Sequence, residues 1–346
     1  MIRRTFLCVL VVLILTGAVA CQRATPAIPE SAVLVDERPV REIPLVGQAA
    51  SSQAEISGMA WCGDDLLLLT QYPGRFADED SAANIFSIPR ADIQAFLSRE
   101  STDALEPALV SFDQAGLDTS IAGFEGFEAI VFSDEGFFVT IEASPSGGMM
   151  GYLAEGEVSE DCTNFAIDPA TLVEISPQAD LKNMSDETLL VFDGDVYTLY
   201  EANGANVNPD PIAHVFQASL DDGSQIPLPN IEYRITDATT PDDRGEFWAI
   251  NYFFPGDQKL KPAPDPIALK YGVGLTHQGA AQVERLVAMR IMEDRIVLAD
   301  QAPIYLELAG IFSRNWEGIV RFDDGFLLVT DFFPRTILGF VDTKSP

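Results

Sequence analysis

The chain has 346 residues, of which 47% are hydrophobic, enough for one large domain or two modest ones. Its 53 acidic residues outweigh 21 basic ones and leave a formal charge of −32, a surface that repels anionic lipid and excludes nucleic-acid binding. The acids are scattered rather than blocked, so most of them serve as a solvated surface.

Read from the N-terminus, the chain opens as an export signal. Arg3 and Arg4 give a positive start, Phe6 to Leu15 an apolar core, and small residues lead to Ala18-Val19-Ala20-Cys21. This resembles a bacterial lipoprotein signal, in which Cys21 becomes the lipidated first residue. An ordinary signal cleaved near Ala20, or an uncleaved anchor helix, are the alternatives, and all three export the chain. Residues 1–20 are thus expected to be the signal, 21–32 a polar, proline-containing tether to the cell envelope, and 33–346 a single domain. Cys8 leaves with the signal and Cys21 carries lipid. Cys62 and Cys162 remain in an oxidising compartment, as a disulfide or as two buried thiols.

Five stretches then share one frame, residues 57–71, 128–142, 187–201, 237–251 and 317–331. Each has a polar starter, a turn rich in Asp and Gly, a β-prone apolar run (LLLLT, FFVTI, VYTLY, FWAI, FLLVT) and a polar finisher fourteen positions on. Each is predicted to be a hairpin with both polar groups at its open end. Starters recur after 71, 59, 50 and 80 residues, which suits four-stranded propeller blades with variable loops. Outer strands are predicted in ANIFSIP and PALVSF for the first blade, TLVEI for the second, AHVFQASL for the third, ALKYGVG and VERLVAMRI for the fourth, and TILGFVD for the last. A short helix is predicted over 91–105, packed through Ile93, Phe96 and Leu97. The fold class is therefore all-β, a five-bladed propeller closed by an N-terminal strand around residues 40–46. A sixth blade within 265–310 stays open, as do a β-sandwich and two smaller β domains. Cys62 and Cys162 fall on neighbouring blades, on the face opposite the polar ends, which makes a bridge between them topologically sensible.

In a propeller the first strand of every blade lines the central channel, so Ser57, Glu128, Glu187, Asp237 and Glu317 are expected at one mouth. Four carboxylates there must spread apart, hold protons, or share a hard cation, for which Ca²⁺ is the expectation. Glu125 and Asp186 compete with Glu128 and Glu187 for the axial places. The finishers Gln71, Glu142, Glu201, Asn251 and Asp331 form a second ring, with Glu142 or Asp331 as a candidate catalytic base. Arg75, Lys259, Lys261 and Arg335 lie on loops after finishers, and Arg234 and Arg314 precede starters. They either neutralise neighbouring acids or, with Arg75, Lys259 and Arg335 foremost, bind a phosphate or carboxylate ligand. Tyr72, Tyr252, Phe253, Phe332 and Phe333 share these loops as rim packing or a stacking surface. His214 and His277 have no triad partners, and no zinc, P-loop or dinucleotide spacing exists.

The stretches ISGMAW, EGFEAIVFSDEGFFVTIEA, RITDAT and NWEGIVRFDDGFLLVTDFF resemble the phytase-like ("esterase-like activity of phytase") propeller family. Met59 stands where that family usually has Leu, and the hairpin at Glu187 departs from its pattern. The order Ser, Glu, Glu, Asp, Glu is also similar to calcium-activated apyrases, whose inner strands each give one oxygen ligand to an axial Ca²⁺. By that likeness Ser57, Glu128, Glu187, Asp237 and Glu317 are the metal ligands. Both resemblances imply an exported, monomeric, Ca²⁺-dependent hydrolase of phosphate esters or anhydrides acting on a small anionic substrate. The alternatives are a non-catalytic cell-surface propeller with a structural Ca²⁺ and a lactonase-type metal propeller.

Overall fold

The computed structural model describes residues 33–220, 223–262 and 264–344. The predicted signal, Cys21 and the tether lie outside the described residues. The fold is a five-bladed β-propeller. Four of the predicted hairpins are regular antiparallel pairs: Ile56–Cys62 with Asp65–Thr70, Phe124–Phe132 with Phe137–Ala143, Asp186–Phe192 with Asp195–Tyr200, and Trp316–Phe322 with Gly325–Thr330. In the fourth blade the second strand is Glu246–Phe253, and the innermost segment is irregular, held by Arg234–Tyr252 and Ala238–Ala249 bridges.

The polar starters have a common backbone cause. The register slips by one residue at Ser57, Glu128, Glu187 and Glu317. Each of these residues sits in a β-bulge, where the extra residue drops out of the ladder and its side chain is re-aimed. The repeated frame thus carries a repeated bulge at four of its five starters.

The apolar runs divide between junctions. Leu66, Leu67, Leu68 and Leu69 are all fully buried. Side chains alternate along a strand, so Leu67 and Leu69 pack between the first and second blades while Leu66 and Leu68 pack between the last and first. One core fills each of the five junctions, with Phe86, Phe137, Phe138, Phe247 and Trp316 as their large members. Burying each such ring stabilises by about 1.5–3 kcal/mol. Five junctions with five cores leave no room for a sixth blade.

The N-terminal segment closes the ring in two blades. Arg41–Ile43 adds antiparallel to Leu338–Asp342 in the last blade, as predicted. Glu37–Arg38 also runs parallel to Ile304–Leu306 in the fourth. Glu37 is anchored there: its carboxylate accepts from the Thr276 N–H (3.0 Å), the Thr276 hydroxyl (2.9 Å) and His277 Nδ1 (2.6 Å). His277 Nε2 in turn accepts from the Glu284 N–H (3.1 Å), so the ring is neutral, in line with burial lowering its pKa.

Two local predictions change. ALKYGVG is not an outer strand of the fourth blade: Pro266–Tyr271 is a helix, because Asp265 caps it by accepting from the Ile267 and Ala268 N–H groups and Pro266 takes its first position, and Val273–Gly274 pairs with Leu34–Val35 instead. Val283–Ile291 and Ile304–Leu306 instead supply the fourth blade's outer strands. The helix predicted over 91–105 spans only Arg90–Ser98, stopped by Arg99 in the left-handed region (φ 67°). Cys62 and Cys162 are joined in a disulfide, their Cα atoms 6.0 Å apart, between the first and second blades.

Candidate functional site

Three bulge residues, Glu128, Glu187 and Glu317, meet two finishers, Glu142 and Glu201, at the polar mouth of the axis. Glu128, Glu142, Glu187 and Glu201 are buried, and Glu317 is mostly so. Burial comes first and mutual repulsion second in raising their proton affinity. Glu187 feels Glu201, Glu317, Glu128 and Glu142 and is pushed well above the usual carboxylate range. Glu128 and Glu317 are raised likewise, the former chiefly beside Glu142 and the latter beside Asp331. Glu142 is pushed up to about 8. Burial raises Glu201 too, with Arg234 opposing the rise.

Few donors answer these acids. The Gln71 amide donates to Glu128 Oε2 (3.1 Å), and the Tyr252 hydroxyl donates to Glu317 Oε1 (3.0 Å). Arg234 is the cation of the mouth, donating to Glu201 Oε1 and to Asp257 Oδ2 (2.8 Å). Glu142 Oε2 and Glu201 Oε2 are buried with no hydrogen-bond donor. Gly126 permits the crowding at the mouth: at φ 148°, a Cβ there would stand 2.9 Å from Gln71 Cβ and 3.1 Å from Glu128 Oε1. On the last blade, Asp331 accepts from the Phe333 N–H (2.6 Å) and Asn315 (3.5 Å), and burial pushes it up to about 6.

Other predicted site residues are placed elsewhere. The Ser57 hydroxyl donates to the Phe127 carbonyl (2.6 Å), strutting the first blade to the second. Asp237 accepts from the Ala238 N–H (2.8 Å) and, across the blade junction, from the Ile319 N–H (2.7 Å). Both side chains satisfy backbone groups that neighbouring bulges leave without partners. Of the competing acids, Glu128 rather than Glu125 and Glu187 rather than Asp186 join the axial group. Asp186 accepts from Thr198 (2.9 Å) and faces His214 Nδ1 (3.4 Å). Asn251 turns outward, its Oδ1 accepting from Arg285 (2.8 Å), which itself pairs with Asp265 (2.8 Å) inside the fourth blade.

The expected anion cradle does not assemble. Arg75 pairs with Glu55 (2.6 Å) and stacks on Tyr72, Arg335 pairs with Glu42, Arg314 is buried on Glu284 (2.8 Å), and Lys259 is exposed. Sequence position had put Arg75, Lys259 and Arg335 ahead of Arg234; the fold singles out Arg234 instead. Among the described residues no group of three or more carboxylates, imidazoles or thiolates is drawn together so as to hold a metal ion as it stands.

The chemistry open to such a mouth follows from its sign. The mouth gathers five carboxyl groups around one guanidinium, and Glu128, Glu142, Glu187 and Glu317 are raised toward the protonated form, so it offers a phosphate dianion no excess of positive charge, while its carboxyl oxygens can meet positive charge developing on a substrate. Protonated and ionised carboxyl groups stand near one another, which supplies both a proton donor and a base.

No family model matches the chain, and no curated protein matches it. Solved structures share the fold. One described as a putative glycoside hydrolase from Parabacteroides distasonis is 10% identical, over 92% of this chain and 96% of that one, with a TM-score of 0.47. A member of the GH130 family of mannoside phosphorylases and glycoside hydrolases is 12% identical, over 93% and 98%, with a TM-score of 0.48. An exo-β-1,3-galactanase from Phanerochaete chrysosporium is 9% identical, over 88% and 64%, with a TM-score of 0.47. At such identities the likeness is one of fold. The fold's neighbours described here are glycoside hydrolases, not phytases or apyrases, so the phytase-like and apyrase-like assignment is corrected. The Ca²⁺-dependent phosphate-ester hydrolase goes with it, and the single-guanidinium mouth supplies the physical reason.

Proposed function

We propose that the polar mouth cleaves glycosidic bonds by carboxyl acid–base chemistry. The observation that supports this most is the split in proton affinity between the buried Glu142, at about 8, and the half-buried Asp331, at about 6. At neutral pH the first is a proton donor and the second an ionised base, the two roles an acetal cleavage needs. The bond class follows from charge. An acetal reacts through a cation-like transition state, which acids around the mouth favour, whereas acyl and phosphoryl transfer build up negative charge that Arg234 alone would have to meet. Phe332 and Phe333 follow Asp331 and are at least partly exposed, so they suit the apolar face of a sugar ring. The test is release of nitrophenol from a panel of nitrophenyl glycosides by the full chain in EDTA. Rates should rise through about pH 6 and fall through about pH 8, and Glu142→Gln should lower them at least about 100-fold. No release from any glycoside, or full activity in Glu142→Gln, would defeat the proposal.

A second reading is favoured by the donorless oxygens of Glu142 and Glu201. A hard cation, Ca²⁺, would draw Glu128, Glu187 and Glu317 together and offset their charge. Calorimetric titration with Ca²⁺ checks it: Glu187→Gln should abolish binding, and a wild-type chain that releases no heat removes the cation.

A further inference from the structure

We infer that the outer rim of the fourth and fifth blades is a surface that rests on lipid. In a chain of 346 residues carrying 53 acids, four rim loops (252–256, 272–282, 308–313 and 332–334) contain no charged residue. They also carry large exposed apolar side chains, with Ile311 81%, Leu275 65% and Phe312 60% exposed. Isolated exposed apolar residues are ordinary, but a contiguous crest marks a contact surface.

Contacts join the loops. The Leu308 N–H donates to the Thr276 hydroxyl (2.9 Å), and the Gln282 amide to the Gly310 carbonyl (3.1 Å), which ties loop 272–282 to loop 308–313. Phe312 then meets Phe333 edge-on at 6.0 Å between ring centroids, and Phe254 meets Phe333 at 6.1 Å. The crest thus runs from Leu275 through Ile311 and Phe312 to the aromatic rings beside the polar mouth.

The occupant is indicated by where the rest of the chain enters. The first described residue, Val33, belongs to this crest: it is 70% exposed, and its carbonyl accepts from the Val273 N–H (2.8 Å) at the start of loop 272–282. Ahead of it stand the apolar run Phe6 to Leu15 and Cys21. Twelve residues from Cys21 to Val33 reach no farther than about 40 Å even when extended, so lipid held at Cys21 lies within reach of the crest. The net charge of −32 selects a neutral lipid surface over an anionic one. Uncharged loops on this one rim let it approach lipid while the acidic remainder stays in water, an interfacial rather than spanning contact.

Ile311→Trp and Met292→Trp in the full chain test this; Met292 is 45% exposed and follows the strand Val283–Ile291 away from the crest. With vesicles of brominated phosphatidylcholine, fluorescence of Ile311→Trp, after subtracting wild type, should be quenched at least about 3-fold more than that of Met292→Trp. Adding Phe312→Asp to Ile311→Trp should relieve the quenching. Equal quenching at both positions, or none, overturns the inference. A blue shift of Ile311→Trp that grows with protein concentration in the absence of lipid would assign the crest to a second copy of the chain and overturn it too.

Discussion

Replacing Glu142 by Gln should change how stability depends on pH. Burial and then the charge of Glu201 raise this carboxyl from its ordinary 4.5 to about 8. A folded-state value above the unfolded one means the folded protein binds the proton more tightly. The stabilisation is therefore complete below about pH 4.5 and is lost as pH rises to about 8. At roughly 1.4 kcal/mol per pH unit inside that window, the wild-type chain should lose about 2–3 kcal/mol between pH 5 and pH 7 from this residue alone. Glu128, Glu187 and Glu317 are raised in the same direction and steepen the loss. His277 works against it, since its lowered pKa favours the folded state as pH rises through the ordinary histidine range. The comparison reads Glu142 together with the part of the rise in Glu128 and Glu187 that its charge causes, and both change in the same direction. Thermal unfolding in EDTA from pH 5 to pH 8 is the assay. Glu142→Gln should gain on wild type by about 5 °C in Tm between pH 5 and pH 7. Parallel pH profiles for the two proteins would show that the carboxyl is not protonated in the fold and would refute the reasoning.

Three further outcomes follow from contacts away from the acids. Reducing the Cys62–Cys162 bridge, which closes a 100-residue separation, should lower stability by up to about 4–5 kcal/mol, read as a fall in the denaturant midpoint with reductant. Arg285→Met leaves the buried Asp265 carboxylate without its cation and should cost about 3–5 kcal/mol in urea unfolding. Asp237→Asn replaces one of two acceptors facing backbone N–H groups; it should cost about 1–3 kcal/mol while leaving glycoside release and any Ca²⁺ heat unchanged, and loss of either would return Asp237 to the site.

The hairpins were legible because strand alternation, Asp-Gly turns and a fixed fourteen-residue frame are all local. Closure by residues 40–46 was legible too, since the last blade visibly lacked a strand. The second closing strand, Glu37–Arg38, was not: two residues give no periodicity, and what fixes them is the buried carboxylate of Glu37 on Thr276 and His277, some 240 positions away. Met150–Val158 was hard to see as a strand because Gly151, Glu155 and Gly156 interrupt its apolar pattern. Gly156 is there because a Cβ would stand 2.3 Å from the ring of Phe137, a constraint set by the neighbouring strand.

At the axis the sequence pattern located a mouth but could not assign its members. Five polar starters share one frame, yet two of them, Ser57 and Asp237, are consumed in holding one blade to the next, while two finishers, Glu142 and Glu201, turn in to join the acids. The difference depends on which backbone groups each bulge leaves unsatisfied, and that is settled between blades rather than within a hairpin. The same logic separates the basic residues. Arg75 and Arg335 sit at matching offsets and are each taken by an acid on an adjacent segment, which leaves Arg234 to answer the acids of the mouth through Glu201. A site whose charge is left so unbalanced must draw in protons, a cation, or a substrate that becomes positive as it reacts. Among these the substrate is the one that turns imbalance into catalysis, because the electrostatic gain then arises in the transition state and not in the resting protein.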